Sequence, residues 1–110
     1  IIARVSHLPH AIAAMLLLLA ASEDGLSVAG TGLLDVTRVA SRDPELWQDI
    51  LTSNRDQLRE AMRRLVDEIH RLDAWLERRE DDNIGQMLAR AARVREDWVG
   101  RRFDHPDWTD

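Results

Sequence analysis

Leu51, Leu58, Leu65 and Leu72 recur every seventh residue, and Met62, Ile69 and Leu76 interleave at the matching offset, giving apolar spacings that alternate between four and three. That rhythm places one stripe along an α-helix, shaped to pack against a neighbour knobs-into-holes. A strand could not present it, because its side chains change face at every residue. Ile84, Met87, Ala91, Val94 and Trp98 repeat the same spacing and predict a second seam facing the first. Two such seams in 110 residues present more apolar surface than one copy hides, and pairing across a two-fold axis would bury it.

The rest of the chain agrees with an all-α class. Tyr is absent and Phe occurs once, while the long segments are rich in Ala, Leu, Arg and Glu, which favour helix over strand. At 110 residues the chain has the length of one domain, which leaves no room for a dinucleotide-binding domain beside the helices. The net charge of −5 is spread through interspersed acids and bases, with no basic face to neutralise phosphates, so no nucleic-acid partner is expected. Without cysteine there are no disulfides and no thiolate metal sites, and the cytoplasm is the expected compartment. The apolar run from Ala11 to Ala21 is shorter than the ~18–20 residues of a spanning helix and lacks a signal peptide's basic start and cleavage site. A buried core helix is expected there, and no membrane partner.

Local signals divide the chain. Residues 1–24 read as a helix bent near Pro9, where Ser6 offers an alternative cap, and Asp24-Gly25 ends it. A glycine loop follows over 25–32, then a short helix over 33–42. Asp43-Pro44-Glu45 supplies a cap, a first-turn proline and an early acid for the next helical stretch, 43–79. This stretch is one kinked helix or two, since Ser53-Asn54 can cap a new start. After the acidic turn Glu80-Asp81-Asp82-Asn83 comes a last helix, 81–99, and a polar tail, 100–110, whose Phe103 and Trp108 either dock or stay free. The opening Ile1-Ile2-Ala3-Arg4-Val5 already has an apolar helical pattern and no initiator methionine, as expected of a piece of a longer protein.

Three groups could carry chemistry. In Ser6-His7-Leu8-Pro9-His10, two imidazoles three residues apart share a helical face. Metal binding would need a third or fourth ligand, and no Glu-x-x-His or cysteine accompanies them, so no metal is expected; the plain alternative is two packed histidines at a bend. In Gly30-Thr31-Gly32-Leu33-Leu34-Asp35-Val36-Thr37-Arg38, the glycines permit close approach and Asp35 lies three residues before Arg38. A guanidinium held in that way grips a carboxylate through two parallel hydrogen bonds, whereas a surface ion pair would contribute only about 0–1 kcal/mol. Trp47 shares an apolar face with Leu46, Ile50 and Leu51, for which core packing is the plain expectation.

Taken in order, Ser6 to His10, the run Asp35-Val36-Thr37-Arg38-Val39-Ala40, Ser41 to Ile50 and Asn54-Arg55 resemble the C-terminal domain of prephenate and arogenate dehydrogenases. The resemblance extends to about Trp98. It departs at Gly30-Thr31-Gly32 followed by Leu33, where family members often have more glycines and then Phe. The resemblance implies a helical-bundle dimerisation domain, an interlocked homodimer whose dimer seam is Leu51, Leu58, Met62, Leu65, Ile69, Leu72 and Leu76. It further implies NAD(P)-dependent oxidative decarboxylation of prephenate, a dicarboxylate, in tyrosine biosynthesis. The dinucleotide and the catalytic histidine would belong to a separate N-terminal domain, so this chain would hold no cofactor and would not turn over alone. Carried over by position, Arg38 would bind a substrate carboxylate, Asp35 would hold Arg38, His7 and His10 would line the pocket, Trp47 would pack beside it, and Gly32 would allow close approach. The rival readings are an arogenate dehydrogenase domain and a non-enzymatic helical interaction module. Convergence of Arg38, His7 and His10 on one concave surface separates enzyme from module.

Overall fold

A computed structural model describes residues 1–22, 26 and 30–104, with side chains as far as residue 101. Among the described residues it is all helix, with no strand. The expected stop at Asp24-Gly25, residues 27–29 of the expected 25–32 loop, the side chain of Phe103 and all of Trp108 lie outside the described residues, and residues 31 and 32 of that loop are helical. In place of the single unit suggested by its length, the chain divides into Ile1–Val66 and Asp67–Asp110.

The first unit opens with a π-helical turn, Ala3–His7, that runs directly into α1, Leu8–Ser22. The expected disturbance around Pro9 takes this form. A proline ring clashes with the carbonyl four residues back, and the wider π turn, closed by the Leu8 N–H on the Ala3 carbonyl, makes room for it. Ala3, His10 and Ala13 are buried, and α1 packs against a 3-10 turn at Arg38–Ser41. The opposite face of α1 does not meet the expectation of a core helix, for Leu18 and Leu19 are 70% and 65% exposed. The apolar run is genuine, but among the described residues no element covers this face of it. By length and composition alone the stretch Ala3–Ser22 would suffice to cross a membrane.

Helix α2, Thr31–Val36, is separated from the 3-10 turn by Thr37, so the expected 33–42 helix is two pieces. The buried Thr37 hydroxyl donates to the Leu33 carbonyl at 2.7 Å, and the Thr37 N–H reaches the same carbonyl at 3.0 Å. Such back-bonding by a β-branched residue competes with continuation of the helix. Helix α3, Pro44–Ser53, is capped by the Asp43 carboxylate, which accepts from the Glu45 N–H at 3.1 Å. Asn54 then separates α3 from α4, Arg55–Glu77, so the stretch 43–79 is two helices. Leu58 and Ala61 on α4 are buried, and Leu51, Met62 and Leu65 are half-buried.

In the second unit, α4 ends in a Schellman motif: the Glu80 N–H bonds the Trp75 carbonyl at 2.9 Å and the Arg79 N–H bonds that of Leu76 at 3.4 Å. Arg79 occupies the left-handed region, φ 56°, where glycine is the usual residue. Helix α5, Asp81–Asp104, continues past the expected end at residue 99. Gly100 in a helix interior costs only ~1 kcal/mol, and the next proline, Pro106, is too distant to stop the helix there. Of the seam in this unit, Leu72 is half-buried while Ile69 and Leu76 are 54% and 60% exposed. The stripe on α5 is likewise exposed beyond Met87.

Candidate functional site

The π turn and the first turn of α1 present His7 and His10 to Trp47 on α3. The His10 ring lies flat on the indole, with centroids 3.7 Å apart and planes at 10°. His7 meets the same indole edge-on at 6.4 Å and 88°. Trp47 is placed by the Asp43 cap, since its N–H bonds the Asp43 carbonyl within the first turn of α3. The Asn54 side-chain amide approaches His7 Nδ1 at 3.3 Å. The contact ties the start of the chain to the residue between α3 and α4.

A cleft of about 230 Å³ opens beside this aromatic group, lined by Val5, Ser6, Pro9, His10, Val39, Arg42 and Trp47. His10 is only 8% exposed, and burial followed by the nearby Arg42 charge lowers its pKa from 6.5. The unfolded chain therefore binds the extra proton first as pH falls. Stability contributed by neutral His10 is complete above pH 6.5 and is lost as pH drops through its lower folded-state value. Thermal melts between pH 7.5 and 5 should show this decline, and His10→Phe, which keeps a ring on Trp47 but cannot titrate, should flatten it. Superimposable pH profiles for the two proteins would remove His10 as the cause.

Of Arg38, His7 and His10, whose convergence on one concave surface was expected, only His10 lines this cleft; Arg38 opens the 3-10 turn and is exposed, and Arg42 is the guanidinium that lines the cleft. No ion pair joins Arg38 to Asp35 among the described residues, which corrects the expectation that Asp35 holds it. The cause is Thr37, whose φ of −98° and ψ of 6° interrupt the helix and break the one-turn register that a three-residue spacing requires. Gly32 lies exposed in α2, and a side chain there would meet nothing within 4 Å, so close packing does not require glycine at this position. A second, apolar cleft of about 380 Å³ is lined by Leu17, Leu26, Gly30, Thr31, Leu33, Leu34 and Thr37. The structure thus gathers His7, His10 and Trp47, and adds Asn54 and Arg42. Both lie in stretches that carry the resemblance, Ser41 to Ile50 and Asn54-Arg55, but no role was expected of them: Asn54 lies 47 residues from the ring it contacts, and Arg42 resembles any surface arginine before a helix cap.

Comparison with known proteins places the chain in a family. Over 97 residues the chain is 29% identical to a prephenate dehydrogenase of Bacillus subtilis (strain 168), covering 84% of this chain and 26% of that protein. Over 111 residues it is 26% identical to a cyclohexadienyl dehydrogenase of Zymomonas mobilis, covering 96% of this chain and 37% of that protein. The chain therefore spans between a quarter and two fifths of the length of these curated relatives. No solved structure matches it. The model of the family described as prephenate dehydrogenase, dimerization domain, matches residues 1–90, and the chain belongs to that family.

Proposed function

We propose that this chain is the dimerisation and substrate-pocket portion of an enzyme that oxidatively decarboxylates prephenate to 4-hydroxyphenylpyruvate with NAD or NADP, working as a cytoplasmic homodimer. The observation that carries the reading is the convergence of His7, His10 and Trp47 beside a cleft rimmed by Arg42, in a chain of this family. The substrate is a dianion and the protein is acidic overall, so binding depends on local cations. Arg42 meets one carboxylate from the cleft, and Arg38, exposed on the adjoining 3-10 turn, meets the other. The His10 ring supplies a polar contact in the cleft against the flat indole of Trp47, with His7 at the indole edge.

The described residues offer no strand-turn-helix unit to cradle a dinucleotide, and the helix at Gly30-Thr31-Gly32 has only six residues. In this reading the nicotinamide and the catalytic histidine lie in another part of the enzyme, and this chain's work is to bind and orient the acid. Arogenate, which carries an amino group in place of the keto group, is the alternative substrate.

The test is turnover by the full-length enzyme, following nicotinamide reduction with prephenate and with arogenate. Arg38→Ala should raise KM for the acid roughly tenfold or more, as the loss of a charge-assisted pair implies, and leave KM for the dinucleotide unchanged. Unaltered kinetics in that variant would reject the role of Arg38. Absence of turnover with either acid would leave a helical dimerisation module whose cleft has another ligand.

A further inference from the structure

Most of the stripe on α5 lies beyond residue 90, where the match to the family model ends. The stripe runs Ile84, Met87, Ala91, Val94, Trp98, and on its outer half Val94 is 59% exposed. Leu88, beside the stripe, is similarly exposed. A shallow groove lined by Met87, Arg90, Ala91, Val94, Arg95 and Trp98 follows this face, and the Arg95 guanidinium stands 5.9 Å from the Trp98 ring.

From this face we infer that α5 pairs antiparallel with α5 of a second copy, centred between Ala91 and Val94. Charge placement selects both the occupant and its direction. Numbering the stripe as a heptad puts Arg90 and Asp97 in equivalent flanking positions, immediately before the seam residues Ala91 and Trp98. In an antiparallel pair these equivalent flanks face each other, so Arg90 meets Asp97 of the second copy and, by the two-fold, Asp97 meets its Arg90. The same register sets Met87 against Trp98, a thioether on an aromatic ring, and Ala91 against Val94. A small residue at the centre lets the axes approach to about 8 Å. A parallel pair would instead set Arg90 against Arg95 of the second copy, two guanidinium groups with no acid between them. An unrelated apolar partner would not need acid and base placed in this self-complementary way.

The inference requires the homodimer proposed above but not its substrate, and cross-linking reads it without any activity. The chain itself has no cysteine, so a disulfide at residues 87 and 98 is identified by mapping the linked peptides. In full-length protein, Met87→Cys and Trp98→Cys variants mixed in equal amounts and mildly oxidised should yield a disulfide joining residue 87 of one copy to 98 of the other. Disulfides formed instead by each variant with itself would indicate a parallel pair and overturn the assignment, as would no cross-link in folded dimer. Arg90→Glu and Asp97→Arg should each weaken dimerisation roughly tenfold, and the double exchange should restore it, because two attractive contacts become repulsive and then attractive again. Equal dimerisation in all four proteins would overturn the pairing even where prephenate turnover is normal. Normal pairing without prephenate turnover would leave it standing and reject only the enzymatic reading.

Discussion

Trp47→Ala should lower the thermal midpoint of this domain in the full-length protein by roughly 10 °C or more and disrupt the candidate site in the same step. The indole is half-buried, with His10 stacked on one face and His7 on its edge, so truncation removes two ring contacts and opens a void where α3 meets the start of the chain. Full removal of a buried Trp costs about 3–5 kcal/mol; partial exposure reduces this to roughly 2–3 kcal/mol, which the steepness of melting in a domain of this size converts to that shift. The uncovered His10 should also titrate closer to 6.5, because burial is the chief reason for its lowered value. Trp47→Phe retains a ring for stacking and should recover most of the midpoint. A melt for Trp47→Ala within a degree or two of wild type would mean that the rings are neighbours without energetic consequence.

The double change Leu65→Gln, Ile69→Gln should convert the proposed dimer into monomer or aggregate. Both residues lie on the heptad stripe of α4, Leu65 half-buried and Ile69 mostly exposed in the single chain, and a two-fold pair presents each of them twice. At about 25 cal/mol for each Å² of apolar surface, four aliphatic side chains contribute several kcal/mol, enough to move the association constant by more than a hundredfold. Sedimentation velocity at micromolar concentration reads the outcome directly. A well-folded dimer carrying both glutamines would place the interface elsewhere on the molecule.

What could be read from the residues alone depended on how far each interaction reaches. The start of α3 is legible because Asp43, Pro44 and Glu45 act within one turn, and the stripe on α4 is legible because its period belongs to the helix itself. Burial is less legible, since hydropathy marks α1 as apolar without saying what covers it, and in the single chain Leu18 and Leu19 face outward. Asp35 and Arg38 illustrate a different failure. Their spacing suits a continuous helix, but the Thr37 hydroxyl turns back to the Leu33 carbonyl and the helix ends between them. The grouping of two histidines with Trp47 was suggested by the family resemblance and not by periodicity, and Asn54 and Arg42 emerged only once distant segments were brought together.

The Schellman turn between α4 and α5 bears on the order of folding events. Its two closing bonds span only a few residues and involve backbone alone, so the turn forms with little loop-closure entropy and on the timescale of helix formation itself. Arg79 in a left-handed conformation shows that hydrogen bonding at this helix end suffices without glycine's freedom. In a chain built from such local closures, intramolecular steps should be fast. The slow phase of refolding should then be the encounter of two copies, with a rate that rises in proportion to protein concentration.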